Sequence, residues 1–331
     1  MKTISVITPC FNEIETIETC YRRIKEIFAQ DLPGYRLEHI FSDNASTDGT
    51  ADALRQIAQA DPSIKVIVNA RNFGPFRSLF NGLRYATGDA VVVFVAADLQ
   101  DPPELIPEFV KHWENGIEVV AGARTNREEG VMLRLGRHLF YRILNRLSDF
   151  DIPPDVGEFQ LIDRKVWQAV VAHDDHHPFL RGIIASVGYK RLIIPYTWGK
   201  RKQGVSKNSR VVTLIDQALN GIFSFSNVPL RLCIYVGLII AALCLIYGTV
   251  ALIGFLLFPD LAPPGVATIF VATFFLSGLQ LSFIGILGEY VTSIHAQVRG
   301  GPRVVERERL NIGACPVPQA GDDVSPRKTS D

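Results

Sequence analysis

The chain has 331 residues, with 34 basic and 34 acidic side chains giving a formal charge of +0, and a mean hydropathy of +0.17. That length admits two domains, and the balanced charge supplies no basic field for a nucleic-acid partner, so none is expected. Five cysteines, Cys10, Cys20, Cys233, Cys244 and Cys315, form no CxxC pair, and two fall in the long apolar stretches, so neither a disulfide framework nor a zinc site is indicated.

From the start, Met1 to Pro9 is too short, and too soon followed by Asn12 and Glu13, to be a signal peptide. Over the first 125 residues apolar runs alternate with helical patterns. Ile4–Thr8, Glu38–Phe41, Lys65–Val68, Ala90–Ala96 and Glu118–Ala121 are predicted strands, rich in Val and Ile as buried parallel strands are. Ile14, Ile17, Tyr21, Ile24 and Phe28 recur at helical spacing, as do Leu79, Leu83 and Ala86. Such alternation predicts an α/β domain with a mostly parallel sheet and helices on both faces. No GxGxxG or Walker motif is present, which argues against a dinucleotide dehydrogenase and a P-loop enzyme.

From Asn126 to Lys207 the pattern loosens into loops, a helical piece around Leu135–Leu147 and the apolar segment Leu192–Pro195, with arginines and lysines recurring throughout. Beside a membrane such a cationic strip also suits anionic headgroups. Val211–Val228 is amphipathic and is placed at the interface. Leu232–Pro259 and Leu261–Gly288 then carry no charge, each about 28 residues against the roughly 20 that cross a bilayer. Basic flanks, Arg201 to Arg231 before and Arg299 to Arg309 after, put both ends in the cytoplasm by the positive-inside rule. The predicted organisation is a cytosolic domain over 1–208, an amphipathic segment over 209–231, two membrane helices over 232–290, and a basic tail over 291–331, disordered from Gly313 onward.

Three predicted strands end in polar corners. Pro9-Cys10-Phe11-Asn12-Glu13 follows the first and Ser42-Asp43-Asn44-Ala45-Ser46-Thr47-Asp48-Gly49-Thr50 the second. Ala97-Asp98-Leu99-Gln100-Asp101-Pro102-Pro103-Glu104 follows the fourth, where the Pro-Pro pair forces the chain out of the strand and presets a helical turn. In open α/β sheets ligands bind beyond these carboxyl ends. Asp98 and Gln100, two apart on an extended segment, can both offer oxygen to a hard cation such as magnesium or manganese. Asp next to Pro is also ordinary turn chemistry, and Asp48 before Gly49 also suits a helix cap.

With the hairpin, and with Gly157-Glu158-Phe159-Gln160, Phe179-Leu180-Arg181-Gly182, Gly204-Val205-Ser206-Lys207 and Gly285-Ile286-Leu287-Gly288-Glu289-Tyr290 in this order, the chain resembles the polyprenyl-phosphate glycosyltransferases of family 2. That resemblance implies a GT-A nucleotide-binding domain, interfacial helices and a two-helix transmembrane hairpin. It implies inverting transfer of a sugar, most simply from a UDP-hexose, to polyprenyl phosphate at the cytoplasmic membrane, by a homo-oligomer. Pro9, Asn12 and Glu13 would hold the base, with Asp43 on base or ribose. Asp98 and Gln100 would bind Mg2+ or Mn2+, and Arg124 and Arg127 would face phosphates. Arg201 and Lys207 would close over the pyrophosphate, and Glu158 would orient sugar or acceptor. The chain departs from the family pattern at Ala96, where an aspartate is usual, and at Glu158 and Gln160, where Gly-Asp-Phe-Arg is common. The alternatives are a processive polysaccharide synthase, which would carry Gln-x-x-Arg-Trp, and a membrane scaffold that has lost catalysis.

Overall fold

A computed structural model of the chain describes residues 1–125, 153, 155–173, 179–197, 228–257, 265–298 and 302–313. The helical piece at 135–147, nearly all of the amphipathic segment, and the tail beyond 313 lie outside these residues. Two compact units result, one comprising 1–146, 150–218 and 300–331, the other 147–149 and 219–299.

The first unit is built on an eight-stranded sheet of order β7-β5-β6-β4-β1-β2-β3-β8. The strands are β1 (Lys2–Cys10), β2 (Tyr35–Asp43), β3 (Ile64–Asn69), β4 (Ala90–Val92), β5 (Val119–Arg124), β6 (Val156–Asp163), β7 (Arg191–Tyr196) and β8 (Glu306–Leu310). β1, β2, β3 and β4 pair in parallel, as do β5 and β7, while β6 runs antiparallel between β4 and β5. The predicted strand at Ala90–Ala96 keeps its regular ladder only to Val92. Beyond it the chain stays between its neighbours, Val93 N–H donating to Gln160 O at 2.8 Å and Val95 N–H to Ile7 O at 2.9 Å.

Helices α1 (Ile17–Gln30), α2 (Thr50–Ala60) and α4 (Ile106–Glu114) cover the sheet with an apolar layer in which Ile17, Ile24, Leu54 and Phe109 are fully buried. Pro103–Leu105 forms the predicted turn of helix ahead of α4. On the other face, α3 (Pro75–Arg84) approaches closely because Gly82 has no side chain: a Cβ there would sit 2.9 Å from Ile7 Cγ2. α5 (Arg164–Ala172) and α6 (Leu180–Ser186) also belong to this unit. Toward the amino end of the strands, buried Glu38 accepts hydrogen bonds from Ser5, from Thr87 N–H at 2.8 Å and from Lys65 Nζ at 2.5 Å. Burial alone would raise its carboxyl, but these donors more than offset that and hold it below the usual range.

β8 corrects the expected tail. It lies within 291–331 yet pairs antiparallel with β3 as the outermost strand of the sheet. Its sequence, Glu306-Arg307-Glu308-Arg309-Leu310, has no apolar face to announce a strand, because charges suit an exposed sheet edge.

The second unit holds α7 (Val228–Leu257) and α8 (Val266–Val298). Both are long and apolar enough to cross a membrane, over Leu232–Val250 and Phe275–Thr292. Their apolar side chains are outward, Leu245 being 74% and Leu281 69% exposed, which a water-facing helix would not sustain at this length.

Candidate active site

β1, β2 and β4 are parallel neighbours, so the corners that follow them meet at one edge of the sheet. Each corner holds one non-glycine residue in the left-handed region, with φ of 55° at Asn12, 61° at Ala45 and 54° at Leu99. Such backbone is sparsely populated, and its recurrence at three strand ends points to a functional constraint.

The first two corners are stitched together. Asn12 N–H donates to Ser46 Oγ at 2.9 Å, and Asn12 Oδ1 accepts from Thr47 N–H at 2.8 Å. Glu13 N–H donates to Thr50 Oγ1 at 2.9 Å and Ile14 N–H to Asp48 Oδ2 at 3.1 Å. Asp48 also accepts from Thr50 N–H at 3.0 Å, so it ties the β1 corner to the first turn of α2. Asp43 closes β2 with no exposed surface and accepts from Ser46 N–H at 3.0 Å and from the Ser46 hydroxyl. Burial raises its carboxyl above the usual range despite the Ser46 hydrogen bonds, the kind of perturbation that functional sites carry. Cys10 lies opposite Asp43 in register; burial and the nearby Asp43 charge raise its thiol well above normal, which leaves it inert.

Asn44, which sequence reasoning assigned no role, joins these corners to the loop after β3. It is 3% exposed, and its N–H donates to Cys10 O at 2.9 Å. Its side-chain oxygen accepts from Asn69 Nδ2 at 3.2 Å and Phe73 N–H at 3.0 Å, and its Nδ2 donates to Asn72 Oδ1 at 2.9 Å. An asparagine in a turn is unremarkable in sequence; its partners come from distant loops, so only the fold reveals it.

In the third corner Asp98 is half-buried and its Oδ1 accepts from Gln100 N–H at 3.2 Å, while Leu99 N–H donates to Ala96 O at 2.9 Å. Asp101 secures this turn. Its carboxylate, 1% exposed, receives Arg124 Nε at 3.1 Å and Nη2 at 2.9 Å, together with the Tyr196 hydroxyl. Burial and the Asp101 charge raise the Tyr196 hydroxyl well above normal, so it remains a donor. Arg124, expected to face phosphates, thus has its Nε and Nη2 turned to Asp101. A planar fork matches a carboxylate two bonds at a time, and Asp101 takes that match inside the protein. The signal for Asp101, a further acid in the same run, was present but indistinguishable from turn chemistry.

Glu158 lies on β6 with a carboxylate oxygen 3.9 Å from Arg181 Nε, whose guanidinium stacks 4.6 Å over Phe179. A Cβ at the adjoining Gly157 would stand 3.5 Å from the Arg124 guanidinium carbon, an ordinary van der Waals contact. The fold thus gathers Pro9, Asn12, Glu13 and Asp43 at one pair of corners, Asp98 and Gln100 at the next, and sets Glu158 beside Arg181. Arg127, Arg201 and Lys207 lie outside the described residues.

A profile described as Glycosyl transferase family 2 matches residues 5–171, and one described as GtrB C-terminal hairpin matches residues 228–294. The bactoprenol glucosyl transferase of Shigella phage SfII is 35% identical over 303 residues, spanning 91% of this chain and 96% of that protein. The prophage bactoprenol glucosyl transferase homolog of Escherichia coli K12 is 34% identical over 303 residues, spanning 91% and 97%. Among solved structures, the mannosyltransferase PcManGT from Pyrobaculum calidifontis, in complex with GDP-Man and Mn2+, aligns at 21% identity with a TM-score of 0.46, covering 67% of this chain and 63% of that one.

Proposed function

Because this chain belongs to glycosyl transferase family 2, we propose that it transfers one hexose from a nucleoside diphosphate sugar, UDP-glucose or a related UDP-hexose, to polyprenyl phosphate at the cytoplasmic face of the membrane, with inversion. The observation that carries this reading is that catalytic domain and hairpin together align along nearly the whole length of bactoprenol glucosyl transferases. Assembly into a homo-oligomer is part of the same reading.

The acceptor sets the chemistry. A phosphate monoester, with a second pKa of about 6, is already an anionic nucleophile at neutral pH, so no strong general base is needed. The chain's work is to bring two repelling anions together and to steady the leaving diphosphate. Asn12, Glu13 and Asp43 hold the base and ribose, with Pro9 shaping the corner. Arg127, Arg201 and Lys207 contact phosphates, and Glu158, set by Arg181, orients sugar or acceptor. Arg124 clamps the Asp98 turn through Asp101 and, with Arg127, faces phosphates of donor or acceptor.

The donor set suits a divalent metal held mainly by substrate. Among the described residues no three His, Cys, Asp or Glu side chains cluster as metal ligands. One carboxylate, Asp98, and the side-chain oxygen of Gln100 fit Mg2+ or Mn2+, which commonly takes one or two protein oxygens and completes its shell with water and phosphate. When bound, such an ion supplies charge neutralisation of the leaving diphosphate. Ala96, in place of a second acid, is compatible with that sharing.

The test is incubation of the full-length protein in vesicles with UDP-glucose, other UDP-hexoses and undecaprenyl phosphate. A lipid bearing a single sugar is expected; a polymer, or no product with any donor, would contradict the reading.

A further inference from the structure

Residues 302–313, which follow the second long helix, are spent on the outer edge of the catalytic sheet. β8 pairs with β3 through Val66–Leu310, Ile67–Arg309 and Val68–Glu308, then shifts so that Asn69 faces Glu306. A strict alternation would put Glu306 on the same face as Glu308 and Leu310. The extra residue, Arg307, turns Glu306 to the opposite face, as a β-bulge does. The strand thereby grips both helical layers. Glu308 pairs with Arg55 of α2 at 2.9 Å, whereas Glu306 accepts from Asn81 Nδ2 at 2.6 Å and from the Tyr85 hydroxyl at 3.0 Å, beside α3, and pairs with Arg309. Val304 is 4% exposed, and Asn311 Nδ2 donates to Ala58 O at 2.7 Å and Ile64 O at 2.9 Å.

The upstream half of this strap ends on the loop that Asn44 joins to the Asp43 corner. Val305 O accepts from Ala70 N–H at 2.8 Å. Asn69, opposite Glu306, donates to Asn44 Oδ1 at 3.2 Å and to Ser78 Oγ at 3.1 Å. Asn72 Oδ1 receives both Asn44 Nδ2 and Gly74 N–H at 2.9 Å. One residue, Asn44, therefore separates the strap-held loop from Asp43 and the β1 corner.

We propose that the segment after the membrane hairpin is a positioning strap for the donor site: Val305 and Glu306, acting through Asn69 and Asn44, hold the 69–74 loop against the Asn12 and Asp43 corners and so set the affinity for a nucleoside diphosphate. This rests on the reading of those corners as the donor site. Glu306 and Val305 touch no substrate; they are positioning residues. The downstream anchor at Arg55 secures the same strand without reaching the loop, which supplies an internal control.

Glu306→Ala, Glu306→Gln and Arg55→Ala are compared in the full-length protein, with hydrogen exchange over 69–74 and UDP titrated by calorimetry. Glu306→Ala should speed exchange in the loop about tenfold and weaken UDP binding about tenfold. Glu306→Gln, which keeps an acceptor for Asn81 and Tyr85, should recover most of both. Arg55→Ala should lower the thermal midpoint comparably while leaving UDP affinity within about twofold. The proposal is overturned if UDP affinity in Glu306→Ala matches wild type, or if Arg55→Ala weakens it as much. Faster loop exchange in Glu306→Ala together with a wild-type chain that binds no nucleoside diphosphate would contradict the donor reading, and the strap's role with it.

Discussion

Asp98 lies beyond the carboxyl end of β4 and Asp43 at that of β2, the two strands that flank β1, yet their surroundings assign them different work. Asp43 is fully buried and accepts from the backbone and hydroxyl of Ser46, whereas Asp98 is half-buried in a turn with its carboxylate bonded to the backbone of Gln100. Asp98→Asn keeps the turn acceptor and removes the charge. It should cost several kcal/mol of transition-state stabilisation, a fall in kcat of about 10²- to 10³-fold, with Tm unchanged. Turnover within about threefold of wild type at saturating metal would remove Asp98 from the mechanism. Glu38 behaves oppositely, as a structural charge. Its folded pKa lies below the ordinary 4.5, so its contribution is present above that pH and is lost as pH falls through the depressed value. Glu38→Gln leaves Lys65 without its charge partner and should lower stability by about 3 kcal/mol at neutral pH. Its Tm should then fall less steeply than wild type as acid is added below pH 4.5, which thermal scans across pH will show. The acids at strand ends were legible in the sequence because apolar runs stop there; Asn44 and Asp101 were not, since their meaning lies in partners 25 and 23 residues away.

At the level of elements, the Asp98 turn is held by strands that are remote in sequence. Asp101 on the turn, Arg124 at the end of β5 and Tyr196 at the end of β7 form one buried cluster, with Arg124 Nε 3.1 Å from the Tyr196 oxygen. Arg124→Lys cannot reproduce the fork and should cost about 3 kcal/mol, whereas Tyr196→Phe, which leaves the ion pair intact, should cost about 1–2 kcal/mol. Both should lower kcat as the turn relaxes. Equal Tm for the two variants would show that the guanidinium fork is not the main tie. The parallel strands were legible as short Val- and Ile-rich runs, and α1 as a helical apolar stripe. β6 and β8 were not. β6 follows residues 126–152 and inserts between strands that precede it, while β8 presents ion pairs where a period-two apolar pattern would be sought.

For the molecule as a whole, β8 means that the catalytic domain does not end before the hairpin. The chain leaves the sheet after β7, forms the two long apolar helices and returns to close the edge of β3. An open β3 edge would expose unpaired backbone groups. Deleting 302–331 should therefore lower Tm by about 4–8 °C, equivalent to roughly 2 kcal/mol in a domain of this size, and promote aggregation. Deleting only 314–331 should leave Tm unchanged, and a similar loss in both truncations would show that β8 adds no stability of its own.

In the proposed reaction a hexose, and not a hexose phosphate, passes to the lipid phosphate. Two preparations of UDP-glucose, one labelled in the sugar and one in the β-phosphate, distinguish these outcomes when supplied with undecaprenyl phosphate in vesicles. Sugar label should enter the lipid while phosphate label stays with released UDP. Phosphate label in the lipid, or sugar label that remains wholly in the donor with the acceptor saturating, would contradict the account.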